Sequence, residues 1–536
     1  MADVSPWLIL AAIIVVWAAV IITLRKKKYL ANKGVSPYGP FIMWRTEGGK
    51  KFIDWLSRPA RFWRAYAGVC KAICLAVAIF IMALLMWEAT IVPRIPDDQA
   101  PTVQMMLGIP GINPVIPIVF GIIGLVVAIV VHEFAHGVLT RVGKMTIKSL
   151  GLILLVVPMG AFVEPDEQQI ASADRRRRSS VYAVGPATNV LLAILCALLF
   201  CGAFMASAEP INPNPVVVNE YKDTPAYYAG LGYGAQIMEI GGVPVATVQD
   251  FNGLEFGPGT DVTVSYYYAG SLESSSVTAG LALVDVSEGL AADQAGLEPG
   301  MILAMLNDTE IHNQPDLQAA LNQTQPHTEV SVRALQYDSG SGAYVLAPID
   351  SITLSSRKDY YMQVDPSLVN ESFVDHGFLG VNTAYMGLGV SSPDRILQRV
   401  ANPYAYADDP SSFVGSTLLF MALPFQGLAP IESPLADLFV PSGIMAGVPD
   451  NLFWFVSNCL YWIFWINLMV GMTNVLPAVP LDGGYLFRDA VDVVIQKVKK
   501  GASEKDRARY VATITYLLAI FVFMLIFWQL IGPRLL

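Results

Sequence analysis

Charge is scarce in this chain. Only 15% of its 536 residues are Asp, Glu, Lys or Arg, against 54% hydrophobic. Soluble domains carry about a quarter charged residues, so the deficit excludes a wholly water-facing protein. A broad basic surface is missing as well. The net charge is −10 and the basic residues cluster beside apolar segments, which argues against nucleic-acid binding. Cysteine is absent from the polar stretch between residues 209 and 450, and this excludes a disulfide framework there. The five cysteines, Cys70, Cys74, Cys196, Cys201 and Cys459, all lie in or beside apolar runs. Cys70 and Cys74 have helical spacing, but no second pair completes a metal site, so they read as small buried helix residues. Positive charge is also missing ahead of the first apolar run, where a cleavable signal peptide would carry it.

What is present is a series of apolar segments with basic flanks. Pro6 to Leu24 is long enough to span a bilayer and is followed by Arg25-Lys26-Lys27-Lys28. The positive-inside rule then places the N-terminus outside. Residues 29–65, with Trp44, Trp55 and Trp63, read as an amphipathic segment lying along the cytoplasmic membrane surface. Tyr66 to Val92 leads out to Pro96-Asp97-Asp98, and Asn113 to Thr140 leads back to Arg141 and Lys144. Leu150 to Val163, interrupted by Pro158 and Gly160, is too short to cross and is expected as a hairpin dipping into the membrane. Arg175 to Arg178 mark the cytoplasmic side again. Ser180 to Ala208 then runs outward, Leu452 to Val475 inward and Tyr510 to Ile531 outward. The fold class that follows is a polytopic α-helical membrane protein with about six transmembrane helices and both termini extracytoplasmic.

From Glu209 the composition turns to Gly, Pro, Ser, Asp and Thr with strand-like Val/Tyr alternation, an inserted extracytoplasmic α+β/β region. It contains an internal repeat. Thr224-Pro225-Ala226, Ala229-Gly230-Leu231 and Gly234 lead into Gln236 to Ile240. Leu290-Ala291-Ala292, Ala295-Gly296-Leu297 and Gly300 lead into Ile302 to Leu306. Both copies resemble circularly permuted PDZ domains, over 209–280 and 281–356. Their grooves would take peptide termini as an added strand; a compact spacer that binds nothing is the plainer alternative. Residues 357–450 read as an extracytoplasmic insertion of open role, with Phe413 to Phe425 as an interfacial or re-entrant helix. The remaining divisions are 1–28 for the first helix and its basic flank, 66–208 for the first part of a membrane core and 451–536 for its second part.

Val131-His132-Glu133-Phe134-Ala135-His136 is a HExxH pattern that ends a run, Pro114 to Val131, without a charged residue. On a helix His132 and His136 share a face one turn apart and can grip one zinc ion, with Glu133 beside them pointing at a metal-bound water. His132 lies about 13 Å above Arg141 along the helix axis, within hydrocarbon depth. A catalytic zinc needs a third ligand and one open position. Asp482 is the sole acid between Asn474 and Gly484, at matching depth, among prolines and glycines that break helix. Intramembrane acids are costly enough to mark function. Capping a helix is the structural alternative for Asp482, and Glu164 and Asp166 are weaker rivals as ligand. His312, His327 and His376, scattered through the outer region, read as ordinary surface or packing residues.

HExxH in one span, Leu481-Asp482-Gly483 in a later one and PDZ-like repeats between them resemble the site-2 protease family of intramembrane zinc metalloproteases (peptidase family M50). The resemblance covers about Val115 to Gly484. It implies one catalytic Zn2+ ion held by His132, His136 and Asp482, with Glu133 as the catalytic base. It also implies that Asn189, in Gly185-Pro186-Ala187-Thr188-Asn189, helps hold substrate or the developing oxyanion. By the same likeness Gly151, Leu152, Ile153 and Leu154 form a strand that pairs with unwound substrate. The implied setting is the lipid bilayer of the cell membrane, with transmembrane protein substrates cut towards the cytoplasmic side and the PDZ domains outside as gate or filter. A membrane zinc carrier and a catalytically silent PDZ scaffold are the alternatives. A carrier has no need of Glu133, and a silent scaffold would have lost ligands that are all present here.

Overall fold

The computed structural model describes residues 6–26, 34–95, 100–155, 157–364, 366–370, 373–405 and 407–535. Lys27, Lys28 and Pro96-Asp97-Asp98, on which two loop sides were expected to rest, lie outside the described residues. Contacts divide the chain into two units. One comprises Met1–Phe200, Met421–Pro430 and Phe455–Leu536, the other Cys201–Phe420 and Ile431–Trp454.

The first unit opens with helix α1 (Pro6–Lys26), strands β1 (Val35–Tyr38) and β2 (Phe41–Thr46) and the short helix α2 (Lys50–Leu56). Two long helices follow, α3 (Ala60–Ile91) and α4 (Ile118–Val142). α4 begins later than the expected Asn113 because Pro114 and Pro117 bias the residues before them away from helix. A hairpin of β3 (Ile147–Leu155) and β4 (Val157–Pro165) comes next. Helix α5 (Arg175–Leu199) is then capped by Asp174, whose side chain accepts from the Arg177 N–H.

Strands β1 to β4 form one antiparallel sheet in chain order. Trp44 of β2 lies opposite Leu152 and Arg45 opposite Gly151. On the other side of β3, Gly151 lies opposite Phe162 and Leu152 opposite Ala161. Two expectations are corrected by this. Of residues 29–65, expected as one amphipathic surface segment, the described part contributes two sheet strands and α2. Ile53 of α2 is fully buried and reaches Gly137 of α4, and Asp54 pairs with Arg141 at 2.8 Å. The second correction concerns β3, which is an interior strand. Both its edges are hydrogen-bonded, so Gly151, Leu152, Ile153 and Leu154 have no edge left for an added chain. The sheet ends on β1 and β4.

The second unit holds two larger sheets. The first draws on β5 (Val216–Glu220), β6 (Gln236–Ile240), helix α6 (Val248–Asn252), β7 (Asp261–Tyr268) and β8 (Ser271–Thr278). The second draws on β9 (Leu281–Val286), β10 (Ile302–Leu306), helix α7 (Gln314–Asn322), β11 (Glu329–Asp338) and β12 (Ala343–Leu346). Alternation turns Val262 and Val264 of β7, and Val330, Val332 and Ala334 of β11, into their cores. Two later strands complete them, β13 (Val381–Tyr385) and β14 (Leu388–Ser391). The sheet orders are β8–β7–β6–β5–β14 and β12–β11–β10–β9–β13. The boundary expected at 356 therefore fails, because residues 381–391 belong to these sheets and not to a separate insertion. Helix α8 (Pro410–Met421) occupies part of the apolar Phe413 to Phe425 run and, at 12 residues, is too short to cross.

The chain then returns to the first unit. Helix α9 (Asp450–Asn474) is followed by α10 (Asp482–Val498), an amphipathic helix that a search for apolar runs passes over, and by α11 (Glu504–Leu535). Five helices among the described residues are long and apolar enough to cross a membrane: α3, α4, α5, α9 and α11. They pack closely where side chains are absent. A Cβ on Gly124 of α4 would sit 2.8 Å from the Trp462 carbonyl oxygen of α9, and one on Gly471 of α9 would sit 3.0 Å from that of Pro186 in α5. Small residues serve this purpose where lipid offers no hydrophobic drive.

Candidate metal centre

α4 carries His132 and His136 on one face, and α10 opens with Asp482. The two imidazole Nε2 atoms are 3.0 Å apart. Each lies 3.2 Å from Asp482 Oδ2, with the three side chains only 10, 13 and 16% exposed. His136 Nδ1 is 2.7 Å from the Val181 carbonyl oxygen. A carbonyl only accepts, so Nδ1 carries the proton and Nε2 presents its lone pair. Lone pairs and a carboxylate oxygen converging this closely repel unless positive charge lies among them. A tetrahedral ion bound at about 2.1 Å would set its ligand atoms about 3.4 Å apart. The triangle of donors is close to that size, and two imidazoles with one carboxylate suit zinc and leave a fourth position open.

Neighbouring backbone is shaped around this point. A Cβ on Gly185 of α5 would lie 2.4 Å from His136 Nε2 and 2.8 Å from His132 Nε2, so only glycine fits there. A Cβ on Gly483 would lie 2.1 Å from the Val475 carbonyl oxygen. That close approach folds the end of α9 onto the start of α10 and aims Asp482. Asn189, one turn beyond Gly185, is completely buried, and neither of its amide atoms has a partner. Unsatisfied buried groups cost roughly 1–3 kcal/mol each, which an incoming polar group would relieve.

Glu133 accepts a 2.8 Å hydrogen bond from the Val163 N–H of β4. That N–H therefore points away from β3. By the strand's period of two, the N–H of Ala161 does the same. The open edge of the sheet thus passes beside Glu133, although Gly151 to Leu154 of β3 do not present one. The rival acids are engaged elsewhere. Glu164 accepts from Ser149 Oγ at 2.5 Å and faces Arg45 at 3.6 Å. Asp166 caps the turn that follows through the Gln168 and Gln169 N–H groups. His312 is held by Asp316 at 3.1 Å, far along the chain from the donor triangle.

The residues that sequence reasoning misses are those that hold α10 in place. Arg178 of α5 grips Asp489 of α10 through Nε at 2.9 Å and Nη2 at 2.7 Å, with side chains 15 and 9% exposed. Arg175 and Arg507 both reach Asp492. The Arg175 to Arg178 run, expected as a marker of membrane side, thus has a structural part to play. It ties α10, and with it Asp482, to α5. Matching i, i+3 spacing of two arginines and two aspartates was the available signal.

A family model described as Peptidase family M50 matches residues 120–522. An uncharacterized protein of Methanocaldococcus jannaschii is 27% identical over 252 residues, which cover 46% of this chain and 63% of that protein. The match thus spans less than two thirds of that relative's length.

Proposed function

The chain belongs to peptidase family M50, and from that premise we propose that it is a zinc-dependent intramembrane endopeptidase. Its substrates are transmembrane helices of other membrane proteins, cut towards the cytoplasmic side of the bilayer. The observation that carries this reading is the donor triangle of His132, His136 and Asp482, set on an apolar helix with Glu133 in the next position. Bound there, zinc would polarise a scissile carbonyl and bring the pKa of water towards neutrality. Glu133 takes the proton of the attacking water and returns it to the departing amine. Asn189, with its amide unpartnered, donates to the carbonyl oxygen as charge develops on it.

A membrane helix hides its carbonyls in its own hydrogen bonds. The substrate segment must therefore unwind, and Gly, Pro or Asn near the cut would ease this. Addition to the open edge of β4, next to Ala161, replaces the lost hydrogen bonds and lays the unwound segment beside Glu133.

We read the two larger sheets as tandem PDZ domains that screen substrates by what they carry outside the membrane. A groove of about 420 Å³ runs between α7 and the end strand β13, lined by Leu317, Leu321, Val381 and Thr383. Another, of about 200 Å³, runs between α6 and β14, lined by Val248, Asn252, Leu388 and Val390. A helix facing an end strand suits an extended peptide added to the sheet. In this reading α1 is the first of six spans, and both termini and the PDZ pair are extracytoplasmic.

The test is metal analysis of the purified chain together with cleavage of a fluorophore-labelled transmembrane peptide. One zinc per chain is expected, with cleavage lost on chelation and restored by added zinc. Cleavage indifferent to the chelator would reject the reading.

A further inference from the structure

Three membrane helices end together around a second cavity, of about 540 Å³, that the metal centre does not use. Arg64 near the start of α3, Lys144 just past the end of α4, Arg176 and Arg177 at the start of α5, and Lys71 one turn after Gly68 line it. One carboxylate, Asp174, faces these five cations, and it is already committed to Arg177 at 3.0 Å and to capping α5. Arg64, Lys71, Lys144 and Arg176 form no ion pair among the described residues. Lys71 donates to the Arg176 carbonyl oxygen at 2.9 Å, which holds its ammonium group at the cavity wall. Lys144 sits in left-handed backbone with φ 60, where glycine would be unstrained. Crowded like charges of this kind repel, and an anion among them relieves the repulsion.

The cavity also has an apolar continuation. Leu139 and Val142 contribute to its wall. Arg64, Gly68, Lys71, Leu75 and Ile79 follow one another at helical i, i+3 and i, i+4 spacing along one face of α3. Leu75 and Ile79 are 64 and 63% exposed. Lys71 is shared with a neighbouring apolar groove of about 600 Å³ that runs past Leu75, Ile79 and Met82. Cationic cavity and apolar groove therefore meet at one residue.

We propose that this pair of cavities binds an anionic phospholipid, its headgroup phosphate among Arg64, Lys71, Lys144 and Arg176 and an acyl chain along the groove on α3. Phosphate is the chemistry the cations select, and the adjoining groove favours a lipid over free phosphate. Basic pockets between membrane helices are suited to such headgroups. The proposal does not depend on the protease reading.

Native mass spectrometry of the full-length protein, with phosphatidylglycerol or phosphatidylcholine added at equal concentration, tests it. Phosphatidylglycerol should be retained about tenfold better. Arg64→Gln combined with Arg176→Gln should abolish that preference while zinc content and elution volume stay as in the wild type. Lys144→Gln, a change at an exposed residue, should weaken it in the same direction. Equal retention of both lipids by the wild type, or a preference unchanged in the variants, would overturn the proposal. Displacement of the bound lipid by inorganic phosphate would also overturn it and assign the cavity to free phosphate.

Discussion

His136 has little freedom. Its Nδ1 is committed to Val181, its Nε2 lies within 3.2 Å of both other donors, and Gly185 leaves no room beside it for a methyl group. Gly185→Ala should therefore lower zinc affinity by about tenfold or more, read by competition with a chelating dye, since changes just outside a ligand shell cost 10–100-fold. Alanine is the better helix former by about 1 kcal/mol, so a loss of helix cannot account for that result. At this scale the sequence was informative about donors and silent about their support. HExxH and the lone Asp482 are legible because residue type and spacing are themselves the ligand chemistry. The Val181 carbonyl leaves no trace, since every residue has one. The crowding at Gly185 depends on how closely α5 approaches α4.

Elements bring these residues together, and two of them can be tested by themselves. Ala161→Pro removes an N–H from the open edge of β4 while sparing the bonds to β3, a place where sheets tolerate proline. Cleavage should fall about fivefold, the worth of one hydrogen bond, with zinc content unchanged. Loss of zinc along with cleavage would mean that the strand supports the centre and does not bind substrate. Arg178→Gln strands Asp489, only 9% exposed on its side chain, and should cost roughly 3 kcal/mol of stability in thermal or denaturant unfolding. Pairing it with Asp489→Asn should recover part of the loss. Local pattern shows the matched i, i+3 spacing of the charges but not which helix they meet, and it shows nothing of the sheet. β1 contains Pro37 and Pro40 sits in the turn after it, residues that weaken a strand signal, and β2 pairs with β3 more than a hundred residues later. Arg178 and Asp489 are 311 positions apart.

Across the whole molecule, hydropathy placed the long helices and missed how the two larger sheets are closed. β9 pairs with β13, whose strand lies beyond the boundary drawn at 356. A repeat is visible in sequence, whereas a strand returned from a distant segment is not. The consequence is practical. Deleting 215–355 would leave β13 and β14 with unpaired edges, a liability for aggregation. Deleting 215–391 removes both sheets whole and should give a monodisperse protein by size-exclusion chromatography that keeps its zinc. If the PDZ pair screens ectodomains, this variant should also cut substrates with bulky outer domains that the full chain rejects. The account as a whole rests on Glu133 acting beside a metal held by α4 and α10. Its most direct test is cleavage of a labelled transmembrane peptide by wild type and Glu133→Gln carrying the same amount of zinc. Equal zinc with a rate reduced by roughly 10²–10⁴ is the predicted result; undiminished cleavage by Glu133→Gln would contradict it.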